Sequence, residues 1–312
     1  MTEDDFLDQL GRLPLHPGAQ GLRDDSARLG SLILTTDTLV EGVHFLPDDP
    51  AGDVAWKLVA VNLSDLAAKG ATPVGVLLNY PLGNDAWDQG FLAGLGEALP
   101  AFECPLLGGD TVSLPPGAPR VLTLTAIGQS NHAPTRSGAR AGDILYVTGT
   151  IGDGGAGLTI AKRLAGDPAG LSIARGKTGP ADLLAAYRRP QPRLAEGQAL
   201  ARHVHAMMDV SDGVLIDAQR MAVASGLSVT IDLAAIPLSS AYRAFSGDDR
   251  AARLAAATAG DDYQLLFAAP PTLTLPVAAT AIGRFAPGSG LTLVDGADPL
   301  PLPQRLGFEH TG

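Results

Sequence analysis

A single cysteine, Cys104, among 312 residues excludes an internal disulfide and a cysteine-built zinc site. Aromatic residues supply only 5%, and Glu is rarer still, because the 33 acids divide into 27 Asp and six Glu. Long apolar runs are missing as well. None approaches the ~20 residues needed to span a bilayer, and the opening Met1-Thr2-Glu3-Asp4-Asp5 is acidic where a secretory leader is basic. These shortages lead us to expect a cytoplasmic protein with no membrane partner. Positive charge is scarce too: 22 Lys and Arg against 33 acids leave a net charge of −11, which repels a phosphate backbone and argues against nucleic acid as a partner.

What is there is a substantial core. At this length, 46% hydrophobic residues suffice for two domains. Apolar runs read as a mixed α/β pattern. A helix is expected over Glu3 to Leu10, then a buried strand Leu32-Ile33-Leu34-Thr35-Thr36 with Asp37 near its end. A helix follows over Asp53 to Lys69, a strand over Val74 to Tyr80, a helix over Asp85 to Leu99, a short strand ending at Gly108-Gly109-Asp110, and a strand over Val121 to Ile127. The polar, Gly/Arg-rich stretch from His132 to Gly142 reads as a junction, dividing the chain into residues 1–135 and 136–312. Beyond it we expect strands at 144–148, up to Asp209, at 227–231, 263–268 and 280–285, and helices at 157–164, 194–202 and 213–224. Residues 166–191 read as a loop or flap.

Two glycine motifs resemble nucleotide loops without completing them. Gly152-Asp153-Gly154-Gly155-Ala156-Gly157 fits G-x-G-x-x-G, but no carboxylate stands about 20 residues further on, and no second strand closes a βαβ unit. Before Gly176-Lys177-Thr178, Gly170 lies one residue too far away for a P-loop.

The aspartates are more informative, because short carboxylates are a poor choice for solvated helix faces. Asp24, Asp25, Asp37, Asp110, Asp209 and Asp212 are all expected where strands or turns end. Singly, each reads as a cap or turn residue. Together, with Ser and Thr hydroxyls beside them, they suit magnesium, a hard cation that shares its shell between carboxylates and phosphates. Helical spacing places Asn62, Asp65 and Lys69 on one face of an apolar helix, so Asp65 needs a partner, either Lys69 or a metal ion. His44, Arg136 and Phe308 each also have a plain reading, as a structural histidine, a solvated charge and a core plug.

Six ordered blocks are distinctive: Thr35-Thr36-Asp37-Thr38-Leu39-Val40-Glu41-Gly42-Val43-His44-Phe45, Asn62-Leu63-Ser64-Asp65-Leu66-Ala67-Ala68, Gly108-Gly109-Asp110-Thr111, Arg136-Ser137-Gly138-Ala139, Asp209-Val210-Ser211-Asp212-Gly213 and Gly260-Asp261-Asp262-Tyr263. The chain they mark out resembles the thiamine-monophosphate kinases over nearly its whole length. That resemblance implies the two-domain α/β fold of aminoimidazole ribonucleotide synthetase, with the N-terminal sheet paired across a homodimer and the C-terminal domain closing over nucleotide. It implies ATP-dependent phosphorylation of thiamine monophosphate to thiamine diphosphate, assisted by several Mg²⁺ ions. It further implies that Asp25, Thr35, Thr36, Asp37, Asp65, Asp110, Asp209 and Asp212 hold metal, that Gly109, Asp110, Arg136 and Ser211 meet ATP, and that His44, Asp261 and Phe308 meet the thiamine substrate. The chain departs from the family pattern at Arg23, at Asp261 where Glu is usual, and at Lys69 where Met is common.

The chemistry explains the acids. An acceptor that is itself a phosphate is largely ionised near neutral pH, since its second pKa is about 6, so no general base is required and direct transfer is expected. The rival readings are another ATP-dependent enzyme of the same superfamily, such as a purine-pathway synthetase or a selenophosphate synthetase, and a nucleotide- or metal-binding protein without turnover. A selenophosphate synthetase or a hydrogenase-maturation protein would be expected to carry a Cys near one terminus, whereas Cys104 lies mid-chain.

Overall fold

A computed structural model describes residues 3–115, 117–166 and 178–309. After a short helix α1 (Glu3–Leu10), the first half builds a five-stranded sheet from β1 (Ala27–Leu29), β2 (Leu32–Val40), β3 (Thr72–Leu82), β4 (Leu106–Ser113) and β5 (Val121–Gln129). Their spatial order is β1-β2-β5-β3-β4, and only the β3–β4 pair is parallel. In β5 the side chains alternate with period two, so Leu122, Leu124 and Ala126 are buried on one face while Thr123 and Thr125 take the other.

Helices α2 (Ala51–Ala68) and α3 (Asp85–Ala101) cover the apolar face. Thirteen of the 18 residues of α2 are buried, because it is apolar nearly all round and lies between its own sheet and the second half of the chain. Its end is set by Gly70, whose φ of 55° lies in the left-handed region that glycine adopts without strain.

The second half contributes β6 (Ile144–Val147), α4 (Asp153–Gly166), α5 (Thr178–Arg188), α6 (Leu194–Leu200), β7 (Ala206–Asp209), α7 (Val214–Ala224), β8 (Leu227–Asp232), α8 (Ser240–Ser246), α9 (Arg250–Ala257), β9 (Leu265–Ala269), β10 (Thr280–Pro287), β11 (Gly290–Asp295) and β12 (Asp298–Leu300). These strands form a seven-stranded sheet ordered β12-β11-β8-β10-β6-β9-β7, antiparallel except for β8–β11. Leu145, Val147, Met208, Ile231 and Phe285 lie in its main core. Among the described residues no helix is long and apolar enough to cross a membrane.

The structure corrects three expectations. Asp37 and Asp110 lie inside β2 and β4 rather than at strand ends, since both strands run on past them. The helix expected from Gly157 begins at Asp153, so Gly154, Gly155 and Gly157 all belong to α4; a Cβ on Gly157 would fall 2.0 Å from the Leu183 carbonyl oxygen, so this glycine lets α5 pack close. The span read as a loop holds α5, where Leu183 and Tyr187 are buried; residues 167–177 of that span, including Gly176-Lys177, lie outside the described residues. Helix α5 reaches back to the first half. Tyr187 Oη and Arg188 Nε each donate to the buried Asp49 carboxylate at 2.8 Å, Arg189 pairs with Glu97 at 2.8 Å, and Trp56 Nε1 donates to the Pro190 carbonyl at 3.0 Å.

Candidate active site

The C-terminal half of α2 organises the site by sending three polar groups to two strands, β2 and β7. Asn62 accepts the Asp37 backbone N–H at 3.0 Å, which fixes β2 against the helix. Ser64 donates to Asp209 Oδ2 at 2.6 Å, which fixes the end of β7. One residue on, Asp65 accepts the buried Thr35 hydroxyl, whose oxygen also lies 3.1 Å from the Asp25 carbonyl. Residues 35 and 37 share a strand face, so Asp37 comes to stand beside Asp65.

This gathers Asp25, Asp37, Asp65, Asp209 and Asp212 from five places in the chain. Their electrostatics show the crowding. Burial, then Asp37, Asp209 and Asp25, pushes the Asp65 carboxyl well above the ordinary carboxylate value. Asp209 is raised in the same way by burial and by Asp25, and Asp37 is pushed up to about 6 by burial, Asp25 and Asp212. Asp25 goes the other way: burial would raise it, but Lys69 and Arg136 outweigh that and hold it below its usual value. Lys69 therefore partners Asp24 and Asp25, not Asp65. Arg136 is ion-paired with Asp25, while its own Nε and Asp25 Oδ2 are buried without a hydrogen bond.

Asp212 is neutralised locally. Arg220 pairs with it and, at 3.0 Å, with Asp217, whose carboxylate also accepts the backbone N–H groups of Asp212 and Gly213 at 3.2 Å. Burial and Asp212 push the Asp217 carboxyl up to about 7.

A second group of side chains adjoins the acids. Asp261, at a φ of 67°, donates its N–H to the Ser211 carbonyl at 2.8 Å. Its carboxylate accepts from Lys57 Nζ and from Tyr263 Oη, both at 2.9 Å. Lys57, almost fully buried, also donates to the His44 carbonyl at 3.1 Å and lies 4.2 Å from the centre of the Tyr187 ring. His44 Nδ1 accepts the Val40 N–H at 3.0 Å, and its ring meets Phe308 edge-on at 6.5 Å. Phe308 is held there by its N–H, which donates to the Asp212 carbonyl at 2.9 Å. Through these links the three residues expected around the thiamine substrate border the acidic cluster.

Three expected residues are not drawn in. Thr36 faces the opposite side of the sheet, where it donates to the Leu124 carbonyl at 3.2 Å and accepts from the Thr125 hydroxyl at 3.1 Å; strand alternation separates it from Thr35 and Asp37. Gly109 and Asp110 stand on the exposed edge strand β4, with the Asp110 carboxylate turned onto the Thr111 N–H at 2.9 Å. The expectation that Asp110 joins Asp37 and Asp65 therefore holds for the latter two only. A Cβ on Gly109 would lie 1.8 Å from the Leu78 carbonyl oxygen, so glycine here lets β3 and β4 meet. The reading missed Lys57, Ser64, Asp217, Arg220, Tyr263 and Asp262. Asp262 is buried and accepts the N–H groups of Gly152 and Gly154 at 2.8 and 3.2 Å, so the donors of the glycine-rich segment are already taken.

Among the described residues, no three His, Cys, Asp or Glu side chains form a ready-made ion cage. The donors nevertheless fit magnesium. They are all hard oxygens, and Asp37, Asp65 and Asp209 have no Lys or Arg within salt-bridge range among the described residues. Magnesium commonly takes only one or two protein carboxylates and completes its shell with phosphate and water.

Comparison with known proteins agrees with this chemistry. Residues 23–130 match the N-terminal domain of the AIR synthase related proteins, and residues 140–298 their C-terminal domain. A thiamine-monophosphate kinase of Caulobacter vibrioides is 38% identical over 99% of this chain and 91% of its own length; that of Escherichia coli K12 is 37% identical over 93% and 91%. Among solved structures, one of AaThiL complexed with AMPPCP and TMP superposes with a TM-score of 0.84 at 28% identity, covering 99% of this chain and 97% of that one. The thiamine-monophosphate kinase of Stenotrophomonas maltophilia gives 0.75 at 35% identity, covering 93% and 94%. The hydrogenase maturation protein HypE in complex with ATP shares the fold, with a TM-score of 0.68 at 20% identity. This chain belongs to the thiamine-monophosphate kinase family, within the AIR synthase related proteins.

Proposed function

We infer that this chain catalyses ATP-dependent phosphorylation of thiamine monophosphate to thiamine diphosphate, with residues 1–135 and 136–312 as its two working units. One observation carries the reading: a cluster of oxygen donors with too little positive charge of its own adjoins a group made of His44, Asp261 and Phe308, so phosphates and an aromatic substrate have neighbouring places. The exposed, partly aromatic end suits the thiamine rings, with Phe308 offering a ring face.

Asp37, Asp65 and Asp209 would hold Mg²⁺, with Asp25 and Asp212 at the edge of the same cluster. When bound, magnesium supplies charge neutralisation between the phosphates of ATP and of the acceptor. The protein's contribution is positioning. Thr35, Asn62 and Ser64 fix the carboxylates, and Arg136 brings a permanent positive charge to the same place. Because the acceptor phosphate is already largely ionised, no side chain needs to remove a proton, and transfer is direct. Asp110 and Gly109 act from the edge strand, toward ATP. That strand also supplies a dimer surface: every residue of β4 is exposed, with Leu106, Leu107 and Val112 each about half accessible, which suits pairing with a second copy.

The test is ADP release. It should require ATP, Mg²⁺ and thiamine monophosphate together, and release at the same rate without thiamine monophosphate would remove this function. Light scattering should give the mass of a dimer, and that of a monomer for Leu107→Asp.

A further inference from the structure

Lys69 is one of only four lysines in the chain, and it sits where a phosphate-transfer site concentrates its acids. Its ammonium is almost completely buried, paired with Asp24, 3.6 Å from Asp25 Oδ2 and 3.4 Å from the Met207 carbonyl. Asp24 is as deeply buried as Lys69 and has no other cation among the described residues, whereas Asp25 is also paired through Oδ1 with Arg136 and keeps an Oδ2 without a hydrogen bond. Two adjacent carboxylates, one of them almost closed off from water, need more positive charge than Arg136 alone supplies. Elsewhere in the cluster, Asp37, Asp65 and Asp209 have none from the protein among the described residues.

We propose that the Lys69 ammonium is a built-in cation that takes the place of a divalent ion between Asp24 and Asp25, so that this chain needs one fewer bound metal ion than its acidic cluster would otherwise require. The inference rests on the magnesium reading of Asp37, Asp65 and Asp209. It divides the cluster in two: an inner part charged by the chain itself, and an outer part left for exchangeable ions beside the phosphates. A fixed ammonium cannot be stripped by chelation, so the inner part stays ordered when magnesium is absent.

The test is ion counting with Lys69→Met, which keeps an unbranched side chain one atom shorter and removes its charge. Mn²⁺ bound per chain, read by electron paramagnetic resonance in the presence of AMPPCP, should rise by one in the variant. Its melting temperature should fall in EDTA and recover in millimolar Mg²⁺, with a larger metal-induced rise than the wild type shows. An equal or lower count, or a variant that stays unfolded whether or not Mg²⁺ is present, overturns the proposal. In wild-type protein labelled with ¹⁵N-lysine, the Lys69 Nζ resonance, assigned by its loss in Lys69→Arg, should persist unshifted when Mg²⁺ saturates; its displacement by Mg²⁺ also overturns the proposal. A wild type that binds no Mn²⁺ with AMPPCP would instead remove the magnesium reading itself.

Discussion

Replacing Asp37 by Asn should make the metal-free protein more stable and the enzyme worse. Asp37 has its carboxyl pushed from 3.8 up to about 6 by burial and by Asp25 and Asp212. The folded state thus holds this proton more tightly than the unfolded chain does. The favourable contribution is complete below the unfolded value and disappears as pH rises through the folded one, leaving an ionised group that opposes folding. The interval from 3.8 to about 6 corresponds to about 3 kcal/mol at most, and partial solvent access lowers this to about 1–2 kcal/mol. Asn has the same shape and no charge. Urea denaturation followed by circular dichroism in EDTA should show the variant more stable by that amount at about pH 8 and equal at about pH 4. Adding Mg²⁺ should reverse the order, because only the wild type has the carboxylate to hold it. A variant no more stable than wild type at about pH 8 in EDTA, or a difference that does not change with pH, would refute the reasoning.

Other substitutions probe the rest of the site. Asp65→Asn should lower turnover by ~10²-fold or more, about 2.7 kcal/mol of barrier, with the fold kept, and a coupled assay for ADP decides it. Phe308→Ala should raise KM for thiamine monophosphate more than KM for ATP if the ring lies on the substrate; equal increases would count against that. Gly109→Ala places a methyl 1.8 Å from the Leu78 carbonyl, so the β3–β4 pairing must shift, and both KM for ATP and the mass read by light scattering, if β4 pairs with a second copy as proposed, should change.

Much of this was legible in the sequence because it follows from periodicity. Alternation and helical runs located β2, α2, β3, α3 and β5 to within a few residues, and the one-face spacing placed Asn62 and Asp65 on a largely buried helix, with Lys69 at its C-terminal cap. The same alternation separates Thr36 from Thr35 and Asp37, a signal present in the strand but overridden by the family pattern. Partners were not legible. Nothing local says that Lys69 reaches back 45 residues to Asp24 rather than one helical turn to Asp65, or that Lys57 crosses to Asp261, because such pairs are made by the packing of one half on the other. Helix α5 lies in the span that reads as a loop; it carries Gly179 and Pro180 in its first turn, where proline is well tolerated.

That helix has a consequence for how the protein comes apart. Asp49 loses its Tyr187 and Arg188 donors, and Lys57 loses both Tyr187 and Asp261, if the two halves separate. Each half would also bare apolar surface to water, since Ala67 and Ala68 of α2 pack with Leu200, Met207 and Phe267 of the second half, so neither is expected to persist as an independent fragment. Melting should accordingly follow a single cooperative transition, and cutting the chain between 135 and 136 should yield insoluble pieces that dissolve only when refolded together.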